Sequence, residues 1–154
     1  MDDSDQSPGW KFSEYEMKGV PLRIEIGPRD IADNKCVIVR RDNREKTFVS
    51  IDNLTAEVDV ALERLTKALY EKALKHREER TYEASTIEEL IETANTKSGY
   101  IKAMWCGDRE CEEKLKETAD VSSRCMPFDG EPIADTCVCC GRAAKKLVYW
   151  GKAY

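Results

Sequence analysis

The sequence predicts an α/β fold in two parts, which meet near residues 80–86. Apolar and polar residues alternate over residues 20–26, as in a half-buried strand. Residues 55–79 carry apolar side chains at steps of three and four, as in an amphipathic helix. Two closely spaced cysteine pairs lie in the second part, where shorter helix and strand patterns alternate. Each part therefore combines helices with strands.

The first part opens with a polar segment in which Pro8 and Gly9 favour a loop. Gly27 and Pro28 end the first strand, and Asp42 begins a polar stretch that favours a hairpin turn between two further apolar runs. The predicted elements are, in order, a loop at 1–9, a strand at 20–26, a helical turn at 29–32, strands at 35–41 and 46–51 joined by a turn at 42–45, and a helix at 55–79.

The second part opens with a helix whose start is marked by a capping box, Thr86 with Glu89 three residues later. Gly99 follows the end of this helix, as is common after helix C-termini. The predicted elements are a helix at 86–95, a strand at 100–105, a short charged helix at 108–118, an extended segment at 123–128 and a strand at 146–150.

We expect one face of the long helix to pack against a sheet and form the core of the first part. That face consists of Val58, Leu62, Leu65, Leu69 and Ala73. Cys36 lies in an apolar run and Cys125 lies next to Met126, so both are predicted to be small core residues rather than reactive thiols.

Four cysteines have the spacing of metal ligands: Cys106-x4-Cys111 and, after a 25-residue insert, Cys137-x2-Cys140. Each pair can bring two thiolates to one tetrahedral zinc ion, and Gly141 allows a tight turn after the last ligand. The sequence therefore predicts a structural zinc site without an open coordination position. We expect Cys139 not to bind the ion. The alternative is a redox switch formed by Cys139 and Cys140.

The composition favours a cytoplasmic protein. No apolar segment approaches the roughly 20 residues that cross a bilayer, and no apolar signal segment opens the sequence. Seven cysteines, an odd number, and 36% charged residues are not typical of a secreted disulfide-linked domain.

The net charge of −5 gives no overall attraction to nucleic acid, so an RNA contact would need a local basic patch. Residues 18–46 contain eight basic and five acidic residues and therefore have a net charge of +3. The alternative interpretation of this patch is a solvated sheet edge and hairpin.

The sequence offers few catalytic groups. His76 is the only histidine, and we expect it on the surface near a helix end. Without a second histidine, nucleophilic catalysis by a Cys/His or Ser/His pair has no candidate, and there is no glycine-rich phosphate loop. The residues by themselves favour a binding or structural module.

Several motifs resemble the archaeal/eukaryotic type of prolyl-tRNA synthetase, and together they span the whole chain. Residues 7–12 (SPGWKF), 14–23 (EYEMKGVPLR) and 27–30 (GPRD) resemble its anticodon-binding domain. Residues 105–108 (WCGD), 124–128 (RCMPF), the Cys137-x2-Cys140-Gly141 knuckle and the final KAY resemble its C-terminal zinc domain.

The resemblance implies a truncated mixed-sheet anticodon-binding domain at 1–82 and a small α+β zinc-binding domain at 83–154. It implies binding to the anticodon arm of tRNA(Pro), in an enzyme that joins proline to this tRNA with ATP and Mg²⁺. Glu25, Arg29, Arg40 and Arg41 are the candidate RNA-binding residues. The carboxylate of Tyr154 is expected to point toward the catalytic domain.

Enzymes of this family carry their catalytic domain upstream and form homodimers, and their anticodon-binding domain opens with a strand and helix that would precede residue 1. We therefore expect this chain to be a C-terminal portion that cannot activate proline by itself. The alternative functions are a free-standing zinc-stapled module that binds RNA or protein, and a thiol redox protein.

Overall fold

The computed structural model describes residues 4–153. The chain divides into two compact units, Met1–Ala73 and Leu74–Tyr154. This division falls nine residues before the boundary expected from the resemblance, within the long helix. Tyr154, expected to point toward a catalytic domain, lies outside the described residues.

The first unit contains helices α1 (Pro8–Met17) and α2 (Pro28–Ala32), strands β1 (Leu22–Glu25), β2 (Lys35–Arg40) and β3 (Lys46–Ser50), a 3₁₀ turn (Ile51–Asn53) and most of helix α3 (Leu54–Glu78). The predicted ends of the three strands, of α2 and of α3 lie within two residues of the observed ends. The helix α1 was not: Ser7 accepts a hydrogen bond from the amide of Trp10 and Pro8 occupies the first turn, so the expected loop already contains a helix start.

The three strands form one antiparallel sheet in the order β1-β2-β3. Ile24 lies opposite Ile38, and Cys36 lies opposite Val49. Cys36, Ile38 and Val49 are buried and form the core of this unit with partly buried residues of β1, the 3₁₀ turn and α3, namely Leu22, Ile51, Leu54, Val58 and Ala61. The prediction that Cys36 is a core residue is confirmed.

The predicted core face of α3 is only partly correct. Leu65 is buried and Val58 is partly buried, but Leu62 is 36% exposed, Leu69 is 41% exposed and Ala73 is exposed. The face that packs against the sheet instead runs through Leu54, Val58 and Ala61. The sheet therefore packs against the N-terminal part of α3, since the residues of α3 in this core lie between Leu54 and Ala61.

The second unit contains strands β4 (Thr81–Glu83), β5 (Tyr100–Trp105), β6 (Val121–Cys125) and β7 (Lys146–Lys152) with helices α4 (Ile87–Thr96) and α5 (Arg109–Ala119). The strand order is β4-β5-β7-β6, with β4 parallel to β5 and the other pairs antiparallel. The predicted capping box is confirmed: Thr86 accepts from the amide of Glu89, whose carboxylate accepts from the amide of Thr86. The strand β4 was not predicted.

The core of the second unit lies between this sheet and the two helices. Trp150, Val148 and Leu115 are fully buried there, as is Leu90 of α4. Cys125, in contrast, is exposed, so its predicted core position is wrong. It ends β6, which is an edge strand, and the pairing register with β7 shifts between Ser123 and Cys125. No helix among the described residues is long and apolar enough to cross a membrane.

Candidate metal centre and nucleic-acid interface

The four predicted metal ligands come together in the second unit. The sulfur atoms of Cys106, Cys111, Cys137 and Cys140 all lie within 4.8 Å of one another. The Cys106 sulfur is 3.7 Å from that of Cys111 and 3.8 Å from that of Cys140. With Zn–S bonds of about 2.3 Å, the sulfur atoms of a regular tetrahedron lie roughly 3.8 Å apart. The cluster therefore has the ligand chemistry and spacing that one tetrahedral metal ion requires.

The first pair of cysteines is positioned by the end of β5 and the start of α5. Cys106 directly follows β5, and Gly107 has a φ of +91°, which turns the chain toward the helix. Asp108 caps α5 by accepting a hydrogen bond from the amide of Glu110. Cys111 lies in the first turn of α5, and its amide donates to the Asp108 carbonyl. The end of β5, the turn at Gly107 and the cap at Asp108 together bring the sulfur of Cys111 close to that of Cys106.

The second pair lies on a tight turn without regular secondary structure. The amide of Gly141 donates to the carbonyl of Cys137 at 2.9 Å, and the amide of Cys137 donates to the carbonyl of Arg142 at 2.7 Å. Gly141 has a φ of +70°, as the predicted turn after the second ligand requires. Cys137 is buried and Cys140 is exposed, so the cluster lies at the border between core and solvent.

Arg142 is a site residue that the sequence reasoning missed. Its Nε donates to the Cys140 sulfur at 3.2 Å, and this bond lowers the pKa of the Cys140 thiol to about 6. Its Nη2 lies 4.0 Å from the Cys106 sulfur. Burial, on the other hand, raises the pKa of the Cys106 and Cys111 thiols. In the sequence, the feature that could have pointed to Arg142 is its position directly after Gly141, the glycine that follows Cys140.

Cys139 is not part of the four-sulfur cluster. It is half-buried and packs against both the core of the second unit and the cysteine cluster. Burial raises the pKa of its thiol, which lowers the fraction of reactive thiolate at neutral pH. This environment favours the predicted role of Cys139 as a non-ligand over a redox role.

In the first unit, most cations of the predicted basic patch, residues 18–46, are paired with carboxylates. The pairs are Lys18–Glu14, Arg23–Glu16, Arg23–Glu25, Arg40–Asp42, Arg40–Glu45, Arg44–Glu16 and Lys46–Glu25. Among residues 4–153, the patch cations without a carboxylate at ion-pair distance are Arg29, Lys35 and Arg41. The patch is therefore less available to an external anion than its composition suggests.

The four candidate RNA-binding residues lie at two ends of this sheet. Glu25 ends β1 opposite Val37, and Arg29 follows in α2. Arg40 and Arg41 lie at the other end, because Arg40 is opposite Leu22.

Two of the four candidates are already engaged within the protein. Glu25 accepts from Arg23 and Lys46, and Arg40 forms a two-pronged pair with Asp42 at 3.0 and 2.7 Å. Arg29 and Arg41 are exposed and are the candidates with free guanidinium groups in the part of the chain that the structure describes.

Comparison with known families agrees with this division of the chain. Residues 1–61 match the family described as Anticodon binding domain, and residues 87–154 match the family described as Prolyl-tRNA synthetase, C-terminal.

The chain is also similar to longer proteins, each named Proline-tRNA ligase. It is 60% identical to the protein of Clostridium novyi (strain NT), 58% to that of Clostridium botulinum (strain ATCC 19397 / Type A) and 57% to that of Lachnoclostridium phytofermentans. Each match covers 100% of this chain and 32% of the relative, so the chain spans about a third of their length. The chain is thus similar over its whole length to a part of proline-tRNA ligases, with a match to an anticodon-binding domain followed by a match to the C-terminal family of prolyl-tRNA synthetases.

Proposed function

We propose that the cysteine cluster binds one zinc ion whose role is structural. Four thiolates at tetrahedral spacing suit zinc and occupy all of its usual coordination positions. The ion would link the β5–α5 junction to the turn at Cys137, two segments that are far apart in sequence. The Arg142 guanidinium, next to two of the sulfurs, would offset part of the negative charge of a four-thiolate site.

We further propose that the first unit binds the anticodon arm of tRNA(Pro). The observation that carries this proposal is the match of residues 1–61 to an anticodon-binding family within a chain that aligns over its whole length with proline-tRNA ligases. Arg29 and Arg41, exposed and without an ion pair among the described residues, are the groups that we expect to contact RNA phosphates or base edges. Arg40 and Glu25 would act by holding the sheet and hairpin in shape.

The properties of the whole enzyme are also proposals for this chain. They are ligation of proline to tRNA(Pro) with ATP and Mg²⁺, a catalytic domain as partner, a homodimeric assembly, the archaeal/eukaryotic type of architecture and a location in the cytoplasm. The type assignment rests on the motif resemblance alone, since the relatives described above are proteins of Clostridium and Lachnoclostridium. The expected domain boundary after residue 82 remains a prediction.

The test of RNA recognition compares tRNA(Pro) with the same tRNA carrying a different anticodon. We expect the chain to prefer tRNA(Pro), and we expect Arg29→Gln and Arg41→Gln to reduce this preference. Lys72→Gln, which removes a cation from an exposed part of α3, is the control for charge. Equal affinity for the two RNAs would show that the first unit binds by electrostatics alone.

A further inference from the structure

A cavity of about 1270 Å³ in the second unit is lined by a cluster of cations. The described residues that line it include five lysine and arginine side chains and no carboxylate. The five are Arg77, Arg80, Lys97, Arg124 and Lys152. This cavity contains none of the metal-binding cysteines and none of the residues that match the anticodon-binding family.

The cations come from separate segments of the chain that the fold holds together. The amide of Tyr100 donates to the carbonyl of Arg80 at 2.8 Å, which fixes the start of β5 against the chain that follows α3. Gly99, with a φ of +138°, passes so close that a Cβ there would collide with this carbonyl. The loop that carries Lys97 is therefore held against Arg80 by backbone contacts.

The other side of the cavity is anchored in the same way. The Lys152 ammonium donates to Oδ1 of Asn95 at 2.9 Å, and Arg124 Nη2 donates to the carbonyl of Gly151 at 3.2 Å. Both partners are neutral, so these bonds orient the cations without cancelling their charge.

The absence of compensating carboxylates distinguishes this cluster from the basic patch of the first unit. Within residues 4–153, none of the five cations forms an ion pair, whereas most cations of the patch do. Like charges that share one concave surface repel one another, and concave surfaces focus their potential. An anion bound there would relieve this repulsion.

The cavity has features that suit a nucleic acid strand. Arginine guanidinium groups match phosphate oxygens in pairs, and Arg77 and Arg80 lie close together at the end of α3 and just after it. Tyr100 also lines the cavity, is 45% exposed, and is held edge-on by Tyr149 with ring centroids 6.5 Å apart. A cationic groove with an accessible aromatic ring is the usual arrangement for binding single-stranded nucleic acid.

We propose that this cavity binds the phosphodiester backbone of RNA, as a second and sequence-independent contact. The choice of RNA over an acidic protein segment rests on the proposed function of the first unit. Phosphate contacts position an RNA without reading its sequence, so this site would add affinity and leave specificity to the first unit.

The test measures the affinity of the full chain for a mixed-sequence, single-stranded RNA 12-mer by fluorescence anisotropy at several salt concentrations. The variant Arg80→Gln/Arg124→Gln should bind at least tenfold more weakly at low salt. The slope of log affinity against log salt should become shallower by about 1.4, because each lost phosphate contact removes about 0.7. Circular dichroism should show an unchanged fold.

The control is Lys116→Gln/Lys146→Gln, which removes the same charge from two exposed lysines of the same unit that do not line the cavity. We expect its affinity to stay within twofold of the parent chain. If the arginine variant is misfolded, Lys97→Gln/Lys152→Gln replaces it, with the same expected loss. Equal losses in the cavity and control variants would overturn the proposal.

Two competitors decide the class of ligand. Polyglutamate of equal charge and inorganic phosphate should each compete poorly with the RNA 12-mer. If polyglutamate displaces the RNA at equal charge concentration, the site accepts acidic protein segments and the RNA proposal is wrong. If inorganic phosphate binds but the 12-mer does not, the site takes free anions only, and the proposal is equally wrong.

Failure of this proposal is distinguishable from failure of the anticodon proposal. The cavity variants should weaken binding to tRNA(Pro) and to its anticodon-substituted form by the same factor. The Arg29→Gln and Arg41→Gln variants should instead change the ratio between the two. If the chain binds the two tRNAs equally well but the cavity variants still weaken binding, only the anticodon proposal is rejected.

Discussion

Arg142 Nη2 lies 2.6 Å from Oδ2 of Asp108, so one ion pair joins the two loops of the candidate metal site. Asp108 caps the helix that carries Cys111, and Arg142 follows the turn that carries Cys137 and Cys140. The pair lowers the pKa of the Asp108 carboxyl. Arg142 also donates a hydrogen bond to the Cys140 sulfur. The same side chain therefore holds the two loops together and places a positive charge next to the Cys140 thiol.

This arrangement predicts that Arg142→Gln weakens metal binding by about 10- to 100-fold, the usual effect of removing a residue that orients metal ligands. Competition with a chromophoric zinc chelator measures the affinity. Arg109→Gln is the matched control, since Arg109 is exposed and, among residues 4–153, pairs only with Glu113. An affinity equal to that of the control variant would show that Arg142 does not support the site.

The ligand assignment predicts different outcomes for Cys111, which belongs to the four-sulfur cluster, and Cys139, which does not. Cys111→Ser should lower the metal content of the purified chain sharply, because it removes one of four ligands. Cys139→Ser should leave the metal content unchanged. Elemental analysis per mole of protein measures both, and an equal loss in the two variants would contradict the assignment.

Metal removal should affect the two units differently. The proposed ion links segments of the second unit, and a metal that stabilises a fold contributes its binding energy to folding. Chelation should therefore speed amide exchange in β5, α5 and the turn at Cys137, and leave β1, β2 and β3 unchanged. Hydrogen exchange with mass spectrometry provides the comparison. Faster exchange in both units would instead indicate that the ion stabilises the whole chain.

The Arg40–Asp42 pair predicts a pH-dependent stability in the first unit. Arg40 holds the pKa of the Asp42 carboxyl below its usual value of 3.8. A carboxyl with a lowered folded-state pKa stabilises the fold fully above the unfolded-state pKa, and this contribution is lost as the pH falls through the folded-state value.

Asp42→Asn should therefore reduce the free energy of unfolding at pH 7, and this difference should shrink as the pH falls through the lowered pKa of the Asp42 carboxyl, because the parent carboxyl is then also protonated. Urea unfolding followed by circular dichroism at each pH measures the difference. The control is Asp59→Asn, on an exposed part of α3. If the free energies of unfolding of Asp42→Asn and the parent differ by the same amount at every pH, the Arg40–Asp42 ion pair is not the source of that difference.

The edge of the first sheet predicts self-association. Among the described strands, β1 pairs only with β2, and Ile24 on it is 46% exposed. An exposed edge strand with apolar side chains is a template for pairing with another chain. Ile24→Lys should shift the chain toward monomer in sedimentation velocity at increasing concentration, whereas Tyr70→Lys, on α3, should not. A parent chain that is monomeric at all concentrations would refute the prediction.

Features that depend on neighbours in sequence were predicted well. Alternation of apolar and polar residues is enough to indicate β1, short runs of apolar residues indicate β2, β3 and β5, and the Thr86–Glu89 box indicates the start of α4. The four-cysteine set was also predictable, because two short spacings restrict which thiols can reach one ion. The motifs that resemble prolyl-tRNA synthetase were sufficient to indicate the family.

Features that depend on distances between remote residues were not predictable. Residues 18–46 look cationic in sequence, yet ion pairs occupy most of the cations, including pairs between residues that are far apart in sequence, such as Arg44–Glu16 and Lys46–Glu25. Cys125 follows a pattern typical of a core residue, but its strand lies at a sheet edge and leaves it exposed. In both cases the outcome depends on which groups the fold places nearby.

By itself, the sequence determined the resemblance to prolyl-tRNA synthetases, the secondary structure of most segments and the four cysteines of the candidate metal site. Only the tertiary structure decided which charges are compensated, and it brought Arg77, Arg80, Lys97, Arg124 and Lys152 to one cavity. These five residues are spread along the second unit and share no local pattern. Their common potential exists only after folding, because electrostatic interaction depends on distance in space and not on separation along the chain.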